Sequence, residues 1–391
     1  MSGGGACVII HDFDWPRRRA PGSVAAGALG LETLVFMERI RKYVSALGEI
    51  FRAAPDKHEA NYRSRPVLEE MSGDAAFFTE ALEQHLRAPG SLNVRHYPVV
   101  GLNIELNPYF GLVANCWIPL PDRRTDISTK SIHHHGNMLL STVTAFGPGY
   151  EHWTFTRPEV LDEDAEVFEM KLIGREPHPA HHVAFVDSYV AHLPFYPPEM
   201  SVTYALWSNK FPVTWRDRVK RLPVLQRNSE TLRKLAVKAG LARQLDLKVV
   251  EYFDFYPTEC GFRGIRERNE FKRGPVEDYL YSLFHVIQAT GNERVAPLIE
   301  ERLGVGEEVE NPQLVRRLLE DLRAGRTIAG RLSEMHYNIV GANFTRAEAE
   351  RALAAQTGAT TRRAGAATMP AGATPAGAAT DSDSHGARAK G

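Results

Sequence analysis

Between about residue 92 and residue 210 the chain is written in short runs: NVRHYPVV, YFGLVANCWIPL, NMLLSTVTAF, YEHWTFT, AEVFEMKLI, HHVAFVDSYV and MSVTYALWSN. Each is rich in Val, Ile, Thr, Phe, Tyr or Trp and is cut off by Pro or Gly. Residues of this kind pack well on a pleated surface, and no helical period separates one run from the next. Parallel strands need long crossovers, usually helical. The spacing therefore predicts an antiparallel sandwich or barrel rather than βαβ units.

The flanks read differently. Residues 27–54 carry Phe36, Ile40, Val44, Leu47 and Phe51 three and four apart, with Glu38, Arg39, Arg41 and Lys42 turned away. That spacing predicts an amphipathic helix. A second helical pattern runs through PVLEE and FFTEALEQHL and stops at Ala88-Pro89-Gly90. Beyond about 215 helical patterns return in NSETLRKLAVKAG, PVEDYLYSLFHVIQATG, NERVAPLIEERLG and NPQLVRRLLEDLRAG. The final stretch, from TGATTRRAG onward, is Ala, Gly, Thr and Pro with almost no large apolar side chain. It buries too little to offset the entropy of ordering and is expected to be disordered. The expected organisation is a helical region over 1–90, a β core over 91–212, a helical lobe over 213–355 and a tail over 356–391.

Composition narrows the function. Lys plus Arg number 47 against 48 Asp plus Glu, so the net charge of −1 gives no global attraction to nucleic acid or an anionic membrane. The basic segment from Arg216 to Arg243 lacks a helix-turn-helix layout, and nucleic-acid binding is not expected. Cys7, Cys116 and Cys260 are odd in number and show no CxxC spacing, which argues against a disulfide framework and fits a reducing cytoplasm. No apolar run is long enough to span a bilayer, and the start MSGGGACVIIHDFDWPRRR lacks an export-signal layout. There is no GxGxxG or GxxxxGK[ST] phosphate loop.

Eight of the 15 histidines fall between His133 and His192, where an even spread would place about two. On a strand, alternate side chains share a face, so His133 and His135 can reach one metal ion while His134 points away. Further ligands would come from neighbouring strands, with positions left open for water, substrate or O₂. His178, in the loop REPHPAHH, reads as solvated or at an interface, and His285, on a helix, as a core or interface histidine.

HHHGNMLLSTVTAFGPG resembles the first motif of the cupin superfamily, in which an HxH pair is followed by a Glu. FVDSYVAHLPFYPPEMSVTYALWSN is similar to the second motif, which contributes a later histidine, here His192. The resemblance implies an α+β chain with a cupin-like antiparallel β-barrel or jelly-roll core flanked by helical regions. The family's Glu should fall about four residues after the second histidine, where Leu139 and Leu140 stand. What remains is a three-histidine set, His133, His135 and His192, similar to the thiol dioxygenase branch. Glu151 or His152 after the Gly147-Pro148-Gly149 turn, and His181 or His182 on the next strand, are alternative ligands. The resemblance implies Fe(II), with Zn, Ni or Mn as alternatives, and a small-molecule substrate reacting with O₂. Tyr150, Glu151 and Tyr204 are the acid–base candidates within an aromatic surround of Trp153, Phe155, Phe195, Tyr196 and Trp207. A hydrolase or isomerase on the same metal, and a ligand-sensing cupin without catalysis, are the competing readings. The helical regions could also pair two barrels in a homodimer.

Overall fold

The computed structural model describes residues 37–95, 99–120, 132–208, 252–256, 261–265, 275–304, 308–331 and 346–354, with isolated positions at 125, 231–232, 235 and 238–240. The expected tail, the basic segment, residues 27–36 and most of NSETLRKLAVKAG lie outside the described residues. Residues up to Leu353 belong to one compact unit. Its composition is α+β. Among the described residues no helix is long and apolar enough to cross a membrane.

Three helices open the described chain: α1 (Glu38–Ala53), α2 (Lys57–Ser72) and α3 (Ala75–Arg87). The expected second pattern is thus split in two. Asp56 accepts a bond from Glu59 N at 2.9 Å and Asp74 one from Ala76 N at 3.1 Å, so each later helix starts on an aspartate cap. Helix α1 buries Ile40, Tyr43, Leu47 and Phe51. Phe51 is fully enclosed, and its truncation to Ala would cost about 3–5 kcal/mol. After the β region come α4 (Val276–Ala289), α5 (Ala296–Gly304) and α6 (Pro312–Arg323). Asn311 caps α6 through Leu314 N at 3.1 Å, with Pro312 preset for the first turn.

All strand pairings between the named strands are antiparallel, in two sheets. The first contains β1 (Val99–Leu106), β2 (Phe110–Trp117), β11 (Ser201–Ser208), β4 (Leu140–Phe146) and β9 (Val183–Val186), in that order. The second runs β6 (Glu159–Asp162), β7 (Val167–Glu169), β13 (Gly261–Ile265), β12 (Tyr252–Tyr256), β3 (Ile132–His133), β10 (His192–Pro194), β5 (Glu151–Phe155) and β8 (Leu172–Pro177). Strands β12 and β13 come from a stretch read above as helical lobe; they lie between β3 and β7 and lend the sheet its middle.

The first sheet has a helix-facing side and an inner side. Leu112, Ala114, Cys116, Tyr204 and Leu206 join the helical core, where Tyr204 meets Phe77 edge to face at 5.0 Å. By alternation Thr203, Ala205 and Trp207 point the other way. Trp117 Nε1 donates to Thr203 Oγ1 there at 2.9 Å. The second sheet also divides. Trp153, Phe155, Phe168, Leu193, Phe253 and Phe262 form an apolar face that Ala349, Ala352 and Leu353 help to close. The opposite face carries the histidines.

Candidate metal centre

Strands β3 and β10 pair with His133 directly opposite His192, so both imidazoles leave the sheet on one face. His135 stands in the turn that follows β3, beside Gly136 in a left-handed conformation (φ 57°). All three histidines are at most 5% exposed. One ring nitrogen from each lies within 4.8 Å of the other two. His135 Nε2 and His192 Nε2 are 3.2 Å apart. Two nitrogens bound about 2.1 Å from one ion, at octahedral to tetrahedral angles, would lie about 3.0–3.4 Å apart. The donor set therefore fits a transition metal. Among the described residues no Asp, Glu or Cys joins this group. The edge of Trp207 packs on His135 at 4.2 Å between ring centres and walls one side.

The loop that carries His135 is tied on several sides. Gly136 N donates to His134 Nδ1 at 2.8 Å, Met138 N to His135 O at 3.1 Å, and Leu139 N to Ser208 Oγ at 2.8 Å. Tyr189 N donates to Gly136 O at 2.8 Å, joining this loop to the one that leads into His192. His134 is indeed turned from its neighbours and hydrogen-bonded, yet it is buried beside Tyr189 and Phe253 rather than on an outer surface.

A second group of histidines lies close by. His152, on β5, points to the same face as His192, with ring centres 6.1 Å apart. Its Nδ1 meets His178 Nε2 in a short contact, and His178 Nδ1 is 2.9 Å from Thr142 Oγ1. The Tyr150 hydroxyl also bonds Thr142, and its ring stacks between Trp117 at 4.4 Å and His178 at 4.2 Å. At the other end His152 Nε2 lies 3.6 Å from the carboxylate of Glu176, which is half exposed. Burial pushes His152 down to about 4, with Glu151 pulling the other way. Burial also holds His178 well below the ordinary histidine value, helped by His152, His182 and His192. Both rings are therefore neutral at physiological pH. Burial drives the Tyr150 phenol upward, opposed by its bond with Thr142, so it stays protonated.

His178 is the residue the sequence reading missed: it is 1% exposed, not solvated. Gly149, at φ +77°, passes so near the His178 backbone that a Cβ there would lie 1.8 Å from its carbonyl oxygen. Several expected positions fall elsewhere. His181, at φ 63°, and His182 are exposed and precede β9, so neither faces inward; His181 Nδ1 bonds Ser72 Oγ at 2.9 Å instead. Glu151 shares the apolar face with Trp153, whose Nε1 donates to it at 3.0 Å, and it pairs with Arg346. Tyr204 sits in the helical core. Trp153, Phe155 and Phe195 also belong to the apolar face, whereas Tyr150 and Trp207 lie on the histidine side; Tyr196 is buried. His285 bonds Ile328 O at 2.8 Å, as a packed histidine would.

No protein-family model matches the chain, and no curated protein matches its sequence. Solved structures are similar to part of it. One is an RmlC-like cupin from Shewanella frigidimarina (12% identity, 29% of this chain and 79% of that one, TM-score 0.19). A second is the Cnp3 cupin domain of Schizosaccharomyces pombe (8%, 29% and 64%, TM-score 0.20). A third is a hydroquinone 1,2-dioxygenase from Sphingomonas (12%, 30% and 68%, TM-score 0.21). The β region of this chain is thus an antiparallel double sheet in which His133 stands opposite His192 on a later strand and His135 follows in the adjoining turn.

Proposed function

We propose that the chain is a mononuclear metal-dependent oxygenase acting on a small molecule, with Fe(II) held by His133, His135 and His192. One observation carries the reading: three buried imidazoles converge, with no carboxylate beside them among the described residues. Neutral ligands leave the ion's charge uncompensated, which favours an anionic substrate group and suits a metal with open positions for O₂. When bound, the ion would supply Lewis acidity and one-electron chemistry toward O₂. The chain's own residues supply the surroundings. Trp207 shields the His135 flank from water, and Tyr150, kept protonated by burial, is held in place by its bond with Thr142.

The test is the metal content of purified protein, followed by anaerobic Fe(II) loading and an oxygen-uptake assay, beside His133→Ala and His192→Ala. Stoichiometric metal and substrate-dependent oxygen uptake in the parent protein, both lost in the variants, support the reading. Metal without oxygen uptake across a panel of thiol and phenolic substrates would redirect it to a redox-neutral reaction, and no metal at all would end it.

A further inference from the structure

Helix α2 begins where the two loops of the metal centre meet. Its first residue, half-buried Lys57, extends its ammonium to Asn137, donating to both the backbone carbonyl and the side-chain oxygen. Asn137 lies two residues beyond His135, in the turn closed by Met138 N on His135 O. The next residue, His58, approaches Asp187 with Nε2 3.8 Å from Oδ1. Asp187 opens the turn into His192, its Oδ1 accepting from Ser188 N and its carbonyl from Val190 N at 3.2 Å. One turn further along, Asn61 Oδ1 accepts from Ser141 Oγ on β4 at 3.1 Å. The start of α2 thus touches the segment leaving His135 and the segment entering His192, and Tyr189 N on Gly136 O binds those two segments to each other.

We propose that Lys57 is a positioning residue for the metal centre: its clamp on Asn137 fixes the 135–139 turn, and through it the direction of the His135 ring. The inference rests on the metal reading above. Its physical basis is that His135, unlike His133 and His192, is not on a strand. No ladder of backbone bonds sets its direction, so the tethers of its turn must. Lysine suits the task because three donors on one nitrogen reach the carbonyl and the side-chain oxygen of Asn137 together. Groups that orient metal ligands from outside typically alter affinity about 10- to 100-fold when removed.

The experiment compares the full chain with Lys57→Met, which keeps the apolar stem, with Lys57→Arg, which restores a donor, and with Leu68→Ala, a core truncation on the same helix. Two readouts are taken: hydrogen exchange of the 136–139 amides in metal-free protein, and Co(II) affinity from the ligand-field spectrum. Expected are faster exchange at 136–139 and about 10- to 100-fold weaker Co(II) binding in Lys57→Met. Lys57→Arg should recover much of both, while Leu68→Ala lowers the melting temperature and leaves both near the parent values. Unchanged exchange in Lys57→Met would overturn the clamp, and unchanged affinity despite faster exchange would overturn its role at the metal. Failure of the parent protein to bind Co(II) would instead remove the metal reading, and the exchange result would still decide whether Lys57 holds the turn.

Discussion

Two groups of histidines stand side by side in the β region, and they differ in arrangement rather than in burial. His133, His135 and His192 converge: their nitrogens meet within 4.8 Å of one another, with no carboxylate in the group. His152 and His178 are strung in a row between Thr142 and Glu176, each nitrogen directed at a different neighbour. One set of tautomers satisfies the row up to its last nitrogen: Thr142 donates to His178 Nδ1 and His178 Nε2–H to His152 Nδ1, while His152 Nε2–H faces Glu176 at 3.6 Å without a hydrogen bond. Convergent lone pairs suit a cation, whereas serial ones satisfy each other. Histidine number alone would have marked both groups as ligands; what separates them is whether the lone pairs have one destination or several.

The largest effect that would sharpen this contrast is loss of a convergent ligand. His133→Ala or His192→Ala should weaken metal binding by more than about 100-fold, since removing a ligand exceeds the effect of removing its support. Metal analysis after dialysis reads it, and retention of full stoichiometry in either variant would break the distinction. Next comes the serial group. His178→Ala leaves Thr142 and His152 short of a buried partner and opens a void under Tyr150, so it should destabilise by about 2–4 kcal/mol. Metal stoichiometry should persist in the folded fraction. Chemical denaturation checks the first statement, and a variant that folds well but loses its metal would show that the row supports the ion after all.

Acid should separate the groups as well. His152 has a folded pKa of about 4 against an ordinary value of 6.5, so its protonation opposes folding. Its contribution is fully present above about pH 6.5 and is lost as pH falls toward 4, a change of up to about 3 kcal/mol. Denaturation of metal-free protein from pH 7 to pH 4.5 should show this decline, and His152→Gln should flatten it. An unchanged slope in that variant would mean that other groups govern the acid limb, His178 and His85 among them, since burial also holds both below the ordinary histidine value.

Much of this architecture was legible beforehand because it depends on local pattern. Strands β2, β4, β5 and β11 coincide with runs of β-branched and aromatic residues, and α1, α4 and α6 with apolar stripes, α6 also with its Asn311 cap. HxH spacing pointed to His133 and His135 and put His192 ahead of Glu151, His181 and His182 as a third partner, and the structure brings the nitrogens of those three histidines together. What stayed hidden depends on pairing over distance. Strands β12 and β13 enter the second sheet through partners more than 80 residues away, such as Tyr252 opposite His133 and Phe262 opposite Phe168. The serial pair also arises from cross-strand placement, because β5 and β8 set His152 beside Glu176 and bring His178 round behind Tyr150. Which face a residue takes was equally hidden. Register slips at bulges, such as the extra residue Ile173 that β8 carries opposite the Thr154–Phe155 step, reset the alternation that a sequence reader would extend unbroken.

The smallest expected effect tests that assignment of faces. Glu151 and His152 are neighbours on β5 and therefore project to opposite sides, Glu151 toward Trp153 and Arg346, His152 toward His192. Glu151→Gln keeps the acceptor for the Trp153 N–H and removes only the charge facing Arg346. Both partners are about a quarter exposed, so the pair is partly screened and its loss should cost no more than about 1 kcal/mol. Urea denaturation should register that shift, while metal content and oxygen uptake stay at parent values. If oxygen uptake fell with stability intact, Glu151 would have to reach the histidine face, which a β5 register moved by one residue would allow. That register would also carry His152 onto the phenylalanine side, where a buried imidazole would have no polar partner. The stability of Glu151→Gln and the integrity of the histidine row are thus two readings of the same strand register.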